Sequence, residues 1–258
     1  MDLLAQDFAV GADERLDRVN ENLILIQKKE GLTFGTDAFL LAAFVRPVPR
    51  GRAVELGAGS GIVSLLCAAR ERFAHICAVE VQADFAELVA RNARCNRLAD
   101  RVSVLHKDIR DLGAAELGGE VDAVFANPPY MRTDSGRRNE SEYKYIARHE
   151  VFGGIGDFCG SACRLLKTGG KFYCVWRPDR LEELMEGLTK NRLAPKRMTF
   201  VHADPLSEPS MVLVEASKDG GHGMRVTRPL FLYERDPDGA RRESRDAVSV
   251  YETMSLQL

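Results

Sequence analysis

No two cysteines of this 258-residue chain stand in a C-x-x-C spacing. The six present (Cys67, Cys77, Cys95, Cys159, Cys163, Cys174) are scattered through apolar segments, which points to free thiols in a reducing compartment and away from a disulfide framework or a zinc site. Cys159 and Cys163 would share a helix face, but two thiols without nearby histidines make a poor metal site. Long apolar runs are missing too. The longest, Ala38 to Val45, suits a buried helix and falls well short of a membrane span. Asp2 stands where a secretory signal would carry basic residues, so a cytoplasmic location with no membrane and no metal is expected. Excess charge is small, formally -2, which excludes a uniformly basic nucleic-acid coat and allows one basic face. Lys190 to Ala203 holds four basic residues and no acid; Met131 to Glu150 sets five basic residues against four acids.

What the chain does have is 45% hydrophobic residues, ample for a core, and a regular alternation of strand and helix periodicity. Residues from about Asp13 to Gln27 mix apolar and charged positions, with a short strand or hairpin arm at Leu23 to Gln27. Thr36 or Asp37 can cap a helix running towards Pro47. "RAVELG", "HICAVE", "RVSVLHKD" and "VDAVFAN" read as strands, with helices at "SGIVSLLCAARE" and "QADFAELVARNARCNR". A helix through "GDFCGSACRLL", a strand at "GGKFYCVW" and a helix near "PDRLEELMEGLTKN" continue the series. Strands separated by helices imply right-handed parallel βαβ units, hence an open, doubly wound α/β sheet covered on both faces. The strands near "PKRMTFVHA" and "SMVLVEAS" have no helix between them and are expected as an antiparallel pair at one edge. The chain divides into an extension over 1–34, a domain over 35–234, and a charged, weakly patterned tail over 235–258, expected to be largely disordered or peripheral.

"VELGAGSGIVSLL" places Gly57, Gly59 and Gly61 at the turn from the first strand of the alternation into its helix, where a backbone without Cβ turns tightly and lets a ligand approach free helix N–H groups. A nicotinamide dinucleotide would want glycine at the position of Ile62, and Glu55 brings negative charge towards a pyrophosphate. The acidic flank suits S-adenosylmethionine, whose aminoacyl and sulfonium groups are cationic. Glu80 ends the second strand, nineteen residues after Gly61, where a carboxylate can take both ribose hydroxyls. Asp108 follows the third strand, placed to accept from an adenine amine. Three acids at successive strand ends converge on the crevice where open α/β sheets bind ligands.

"VDAVFANPPYMRT" raises a separate question, because an apolar strand ends abruptly in Asn127, two prolines and Tyr130. The prolines hold a stiff extended turn, and Pro129, having no N–H, leaves the Pro128 carbonyl free to accept. With the Asn127 side-chain oxygen this makes two fixed acceptors suited to a planar –NH2 group, and Tyr130 offers a face on which a planar base or amide can stack. Accepting both amine hydrogens frees the nitrogen lone pair to attack a sulfonium methyl, by positioning and electrostatics and with no covalent intermediate. A cytosine carbon methylase would need a thiol beside such a proline, and no Pro-Cys pair occurs.

These residues resemble class I S-adenosylmethionine-dependent amino-methyltransferases with an (N/D)PP(Y/F/W) motif. "LTFGTDAFLLAAF", "ELGAGSGIVSLL", "NPPY", "YIARHE" at Tyr145 to Glu150, "EPSMVLVEASKDG" and "PLFLYE" look like the bacterial tRNA1(Val) adenine N6-methyltransferase family. The resemblance implies a Rossmann-like, mostly parallel seven-stranded sheet with one antiparallel strand near the edge. It implies Asn127, Pro128, Pro129 and Tyr130 as the target-amine loop, with Glu55, Glu80, Asp108 and the glycines on the cofactor and Thr36 and Asp37 closing its pocket. It implies a tRNA substrate methylated next to the anticodon, with the basic segment Lys190 to Arg197 and Arg132, Arg137, Arg138 and Arg148 as candidate phosphate contacts. The competing expectation is a protein-glutamine methylase acting on a translation factor or ribosomal protein, since a glutamine amide presents the same –NH2. Those enzymes usually carry a helical domain before the glycine loop, where only about fifty residues stand here.

Overall fold

The computed structural model describes residues 10–29, 34–129, 153–235, 238, 240–254 and 256. It opens with the expected hairpin arm, β1 (Glu14–Asn20) and β2 (Leu23–Lys28), paired antiparallel. Next come α1 (Thr36–Phe44), β3 (Val48–Leu56), α2 (Ile62–Ala69), β4 (Phe73–Glu80), α3 (Ala83–Cys95), β5 (Val102–His106) and β6 (Val121–Ala126). Further along the chain follow α4 (Ile155–Leu165), β7 (Leu166–Trp176), α5 (Leu181–Lys190), β8 (Leu193–His202) and β9 (Pro209–Lys218). The sheet order is β5-β4-β3-β6-β7-β9-β8, parallel throughout except for β9, which runs antiparallel between β7 and β8. Two short strands, β10 (Arg225–Val226) and β11 (Leu230–Phe231), extend the sheet beyond β8 and were not foreseen.

Strand side chains alternate between two buried layers, which is why the strands read as nearly continuous apolar runs. Ala53, Ala123 and Phe125 pack with α1, α2 and α3 on one face; Val54, Leu56, Val124 and Ala126 pack with α4 and α5 on the other. By the same alternation Glu55 falls on the α2 face. The hairpin is tied to α3 by Asn92 and Asn96, one helical turn apart, each of which mimics a neighbouring strand. Asn92 accepts from Ile26 N at 2.7 Å and donates to Ile26 O at 2.9 Å, while Asn96 does the same at Ile24. Arg91 clasps Glu14 with two 2.8 Å bonds and holds that carboxyl at about 2, well below its ordinary value.

The carboxy-terminal segment, expected as largely disordered or peripheral, has regular elements. It forms β12 (Tyr233–Arg235), β13 (Arg241–Glu243) and α6 (Arg245–Thr253). Arg235 and Arg241 both bind the fully buried Asp204, at 2.9 and 2.8 Å, which pins the β12–β13 ribbon beside the end of β8. Ser244 caps α6 by accepting from Ala247 N, and Ala247, Val250 and Met254 are buried. Residues 247, 250, 251 and 254 lie on one helical face, so the tail had an apolar side that its charged composition concealed. Among the described residues no helix is long and apolar enough to cross a membrane, and no cluster of three or more His, Cys, Asp or Glu could hold a metal.

Candidate active site

The carboxyl ends of β3, β4, β5 and β6 frame one cavity of about 250 Å³. Gly57, Gly59 and Gly61 turn the chain from β3 into α2 with φ of 69°, 55° and 82°, a region open to glycine and costly for other residues. A Cβ on Gly61 would stand 2.7 Å from Val89 Cγ1, whereas one on Gly59 would meet nothing within 4 Å, because Gly59 lines the open cavity. Gly61→Ala is therefore expected to cost roughly 2 kcal/mol, from positive φ and overpacking against α3. Thermal unfolding checks this, and an unchanged midpoint would contradict it.

Glu80 braces the turn from below. Its Oε2 accepts from Gly59 N and its Oε1 from Gln82 N, both at 2.9 Å, leaving each oxygen a further lone pair. Glu55 lies behind the turn, only 2% exposed, with Oε2 accepting from Ser64 N at 2.9 Å and from the Ser64 hydroxyl. Burial pushes its carboxyl up to about 8, with the Ser64 bonds opposing and the Glu80 charge adding to the rise. A cationic ligand in the cavity would relieve that cost. The open cradle at Gly59, the acids Glu55 and Glu80, and apolar walls from Phe34, Phe85 and Phe158 fit a ligand with a sulfonium, a ribose and an adenine.

Asp108 lies on the wall, but the side chain is turned to Arg110, whose backbone N and guanidinium both donate to it. The guanidinium, then the backbone bond, hold its carboxyl below the ordinary value. Asn127, Pro128 and Pro129 form the wall after β6. Asn127 Nδ2 donates to Asp37 Oδ2 at 2.9 Å, across ninety residues of sequence. Asp37 also accepts from Ala38 N, at the first turn of α1, whose cap is Gly35 rather than Thr36 or Asp37. Thr36 is absent from the cavity wall, and its Oγ1 lies 3.1 Å from the Tyr251 hydroxyl of α6. Tyr130, Tyr145 to Glu150, Arg132, Arg137, Arg138 and Arg148 lie outside the described residues.

The basic segment from Lys190 to Arg197 is not on the cavity wall, with β9 and β7 standing between β8 and β6. Ala194 pairs with Ser217, Ser217 with Lys171, and Lys171 with Ala123, so the start of β8 is level with Ala123. That puts Ala194 four residues, about 13 Å, below Asn127 along the strands, while Arg197, level with Phe125 through Glu215 and Tyr173, is two residues below. The segment's charges are also engaged. Lys190 binds Glu186, Arg192 binds Asp219, Lys196 donates to Gly221 O and His222 O, and Arg197 binds Glu215 and Phe44 O. Sequence reading missed Ser64, Asn92 and the three cavity phenylalanines. Ser64, in the first turn of α2, was visible as a polar residue in an apolar helix start; the phenylalanines carry no signal apart from core residues.

The methyltransferase small domain family model matches residues 28–196. A tRNA1(Val) (adenine(37)-N6)-methyltransferase of Phocaeicola vulgatus is 34% identical over 180 residues, 70% of this chain and 74% of the relative. An enzyme of the same name from Flavobacteriaceae bacterium strain 3519-10 is 28% identical over 82% of this chain and 87% of its own. In solved structures, a protein of Agrobacterium tumefaciens described as a predicted O-methyltransferase superposes with a TM-score of 0.69 at 22% identity, over 86% of this chain and 98% of the other, a likeness of fold. A family match over most of the chain, on a fold that ends its strands in this glycine turn and this Asn-Pro-Pro wall, makes the protein a member of the methyltransferase small domain family and a class I S-adenosylmethionine-dependent methyltransferase.

Proposed function

We propose that the protein transfers a methyl group from S-adenosylmethionine to the exocyclic N6 amine of an adenine in tRNA, next to the anticodon. The observation that carries this reading is the hydrogen bond from Asn127 Nδ2 to Asp37. It fixes which end of the amide is which, so Oδ1 is the atom left to accept. The Asp37 carboxylate also polarises the amide, making Oδ1 a stronger acceptor than an amide in water. With the Pro128 carbonyl, Oδ1 holds both N–H bonds of the target amine and draws its lone pair out of the ring. The same two oxygens oppose the positive charge that develops on the nitrogen. Bound S-adenosylmethionine supplies an electrophilic methyl on its sulfonium. Glu80 would hold its ribose, Glu55 would face its cationic end, and the phenylalanines would exclude water. The named relatives support adenine in tRNA as the acceptor. An anticodon-loop base also fits physically, being single stranded and cheap to splay into a deep site.

The acceptor class is tested by incubating the protein and labelled S-adenosylmethionine with a cell extract. Label that ribonuclease removes supports RNA; label that only protease removes overturns this reading.

Glu55 gives the site a pH signature. Its carboxyl is raised to about 8 without ligand, and a bound cation lowers it, so binding releases a proton below that pH. Affinity for S-adenosylmethionine should therefore strengthen as pH rises from 6 towards 8, by up to about tenfold per unit, and level off above. For folding the sign is opposite. The raised carboxyl favours the folded state fully below its unfolded value near 4.5, and that contribution is lost as pH rises through about 8. Titration calorimetry of the wild type and Glu55→Gln checks the binding claim, and a slope that survives in the variant would contradict it.

A further inference from the structure

We propose that the carboxy-terminal helix is part of the catalytic apparatus, with Tyr251 as a positioning residue that acts through α1 on Asn127. Tyr251 and Thr36 share a hydrogen bond at 3.1 Å. Thr36 is the first residue of α1, and its neighbour Asp37 takes the Asn127 amide at 2.9 Å. The N-cap residue of α1, Gly35, has no side chain with which to cap it, and the Tyr251–Thr36 bond ties the first turn to the neighbouring helix. A second line of contact runs parallel to the first. The Tyr251 ring meets Phe39 edge-on at 5.3 Å, Phe39 meets Phe34 at 5.9 Å, and Phe34 is on the cavity wall.

The helix is also fixed at its far end. Arg72 donates through Nη1 to Val45 O and through Nη2 to Met254 O, so one guanidinium serves the carboxyl ends of α1 and α6 together. Val250 and Met254 are buried in the same core as α1. The helix thus reaches the amine site by a continuous set of bonded and packed groups, although it lies outside residues 28–196 that the family model matches. Loss of the Tyr251 hydroxyl would leave the helix docked through its ring and Arg72, and would free the first turn of α1 to swing the Asp37 carboxylate. Asn127 would then lose the partner that sets its orientation.

The proposal rests on the amine-methylation reading only for its kinetic arm. In Tyr251→Phe, kcat should fall about three- to tenfold, the worth of one neutral hydrogen bond, with both KM values and the thermal midpoint nearly unchanged. Thr36→Val should show the same loss, the double variant no further loss, and Thr36→Ser should recover most of it, because the two hydroxyls form one bond. A second readout needs no acceptor. The side-chain NH2 resonances of Asn127, identified by their absence from Asn127→Asp, should move towards those of a free amide in Tyr251→Phe. Unmoved Asn127 resonances, additive losses, or a lowered thermal midpoint with unchanged kcat would each overturn the proposal. A wild type that methylates no tRNA while its Asn127 resonances still respond to Tyr251→Phe sinks the acceptor assignment and upholds the coupling.

Discussion

Asn127→Ala lowers kcat for methyl transfer by about 10²–10³-fold, the scale of removing one preorganised hydrogen-bonding group from a transition state. The affinity for S-adenosylmethionine stays within about twofold, since in the proposed role the side chain would face the acceptor amine while its own anchor is Asp37. Single-turnover transfer and equilibrium cofactor binding, measured on the same preparation, separate the two quantities. A variant that loses cofactor affinity and keeps its single-turnover rate would move Asn127 from the amine to the cofactor. Asn127→Asp is informative beside it. It puts a second carboxylate 2.9 Å from where Asp37 now accepts, so the first turn of α1 and the target loop would repel, and activity should fall at least as far as in the alanine variant.

Glu80→Ala produces the largest expected effect on binding, a loss of about 100-fold or more in cofactor affinity. Two charge-assisted hydrogen bonds to the ribose, as proposed for this side chain, would account for that scale. The side chain has a second task that makes the loss larger than ligand contact alone. Its oxygens hold Gly59 N and Gln82 N, so without them the turn that cradles the ligand is no longer fixed in the empty protein. Glu80→Gln keeps one acceptor oxygen and a donor, and should fall between wild type and alanine. Cofactor affinity unchanged in Glu80→Ala would remove the ribose assignment.

The alternation of strands and helices was legible because period-2 and period-3.6 patterns differ and because both sheet faces are covered, leaving long apolar strands. Gly57, Gly59, Gly61 and the Asn127 to Pro129 turn stood out for a similar reason: each breaks a regular pattern where a strand ends. The missed features depend on partners far away in sequence. Asn127 meets Asp37 across 90 residues and Thr36 meets Tyr251 across 215, and nothing local to any of the four announces the pairing. The ion pairs within Lys190 to Arg197 were hidden for the same reason, since Arg197 and Arg192 are answered by Glu215 and Asp219 on the adjacent strand and its turn. Asp108 is a different case. Arg110 stands two residues on, and the local pairing was readable without any tertiary information. The carboxy-terminal helix was hidden by averaging, because charge dominates residues 235–258 while one narrow stripe carries the apolar groups.

The most direct test of the whole account is methyl transfer from labelled S-adenosylmethionine to unmodified bulk tRNA, followed by digestion to nucleosides, with Asn127→Ala alongside. The account predicts label in N6-methyladenosine for the wild type and almost none for the variant. Label in another nucleoside, or in protein and absent from tRNA, would contradict it, and label in a glutamine side chain would put the amide-methylating alternative in its place.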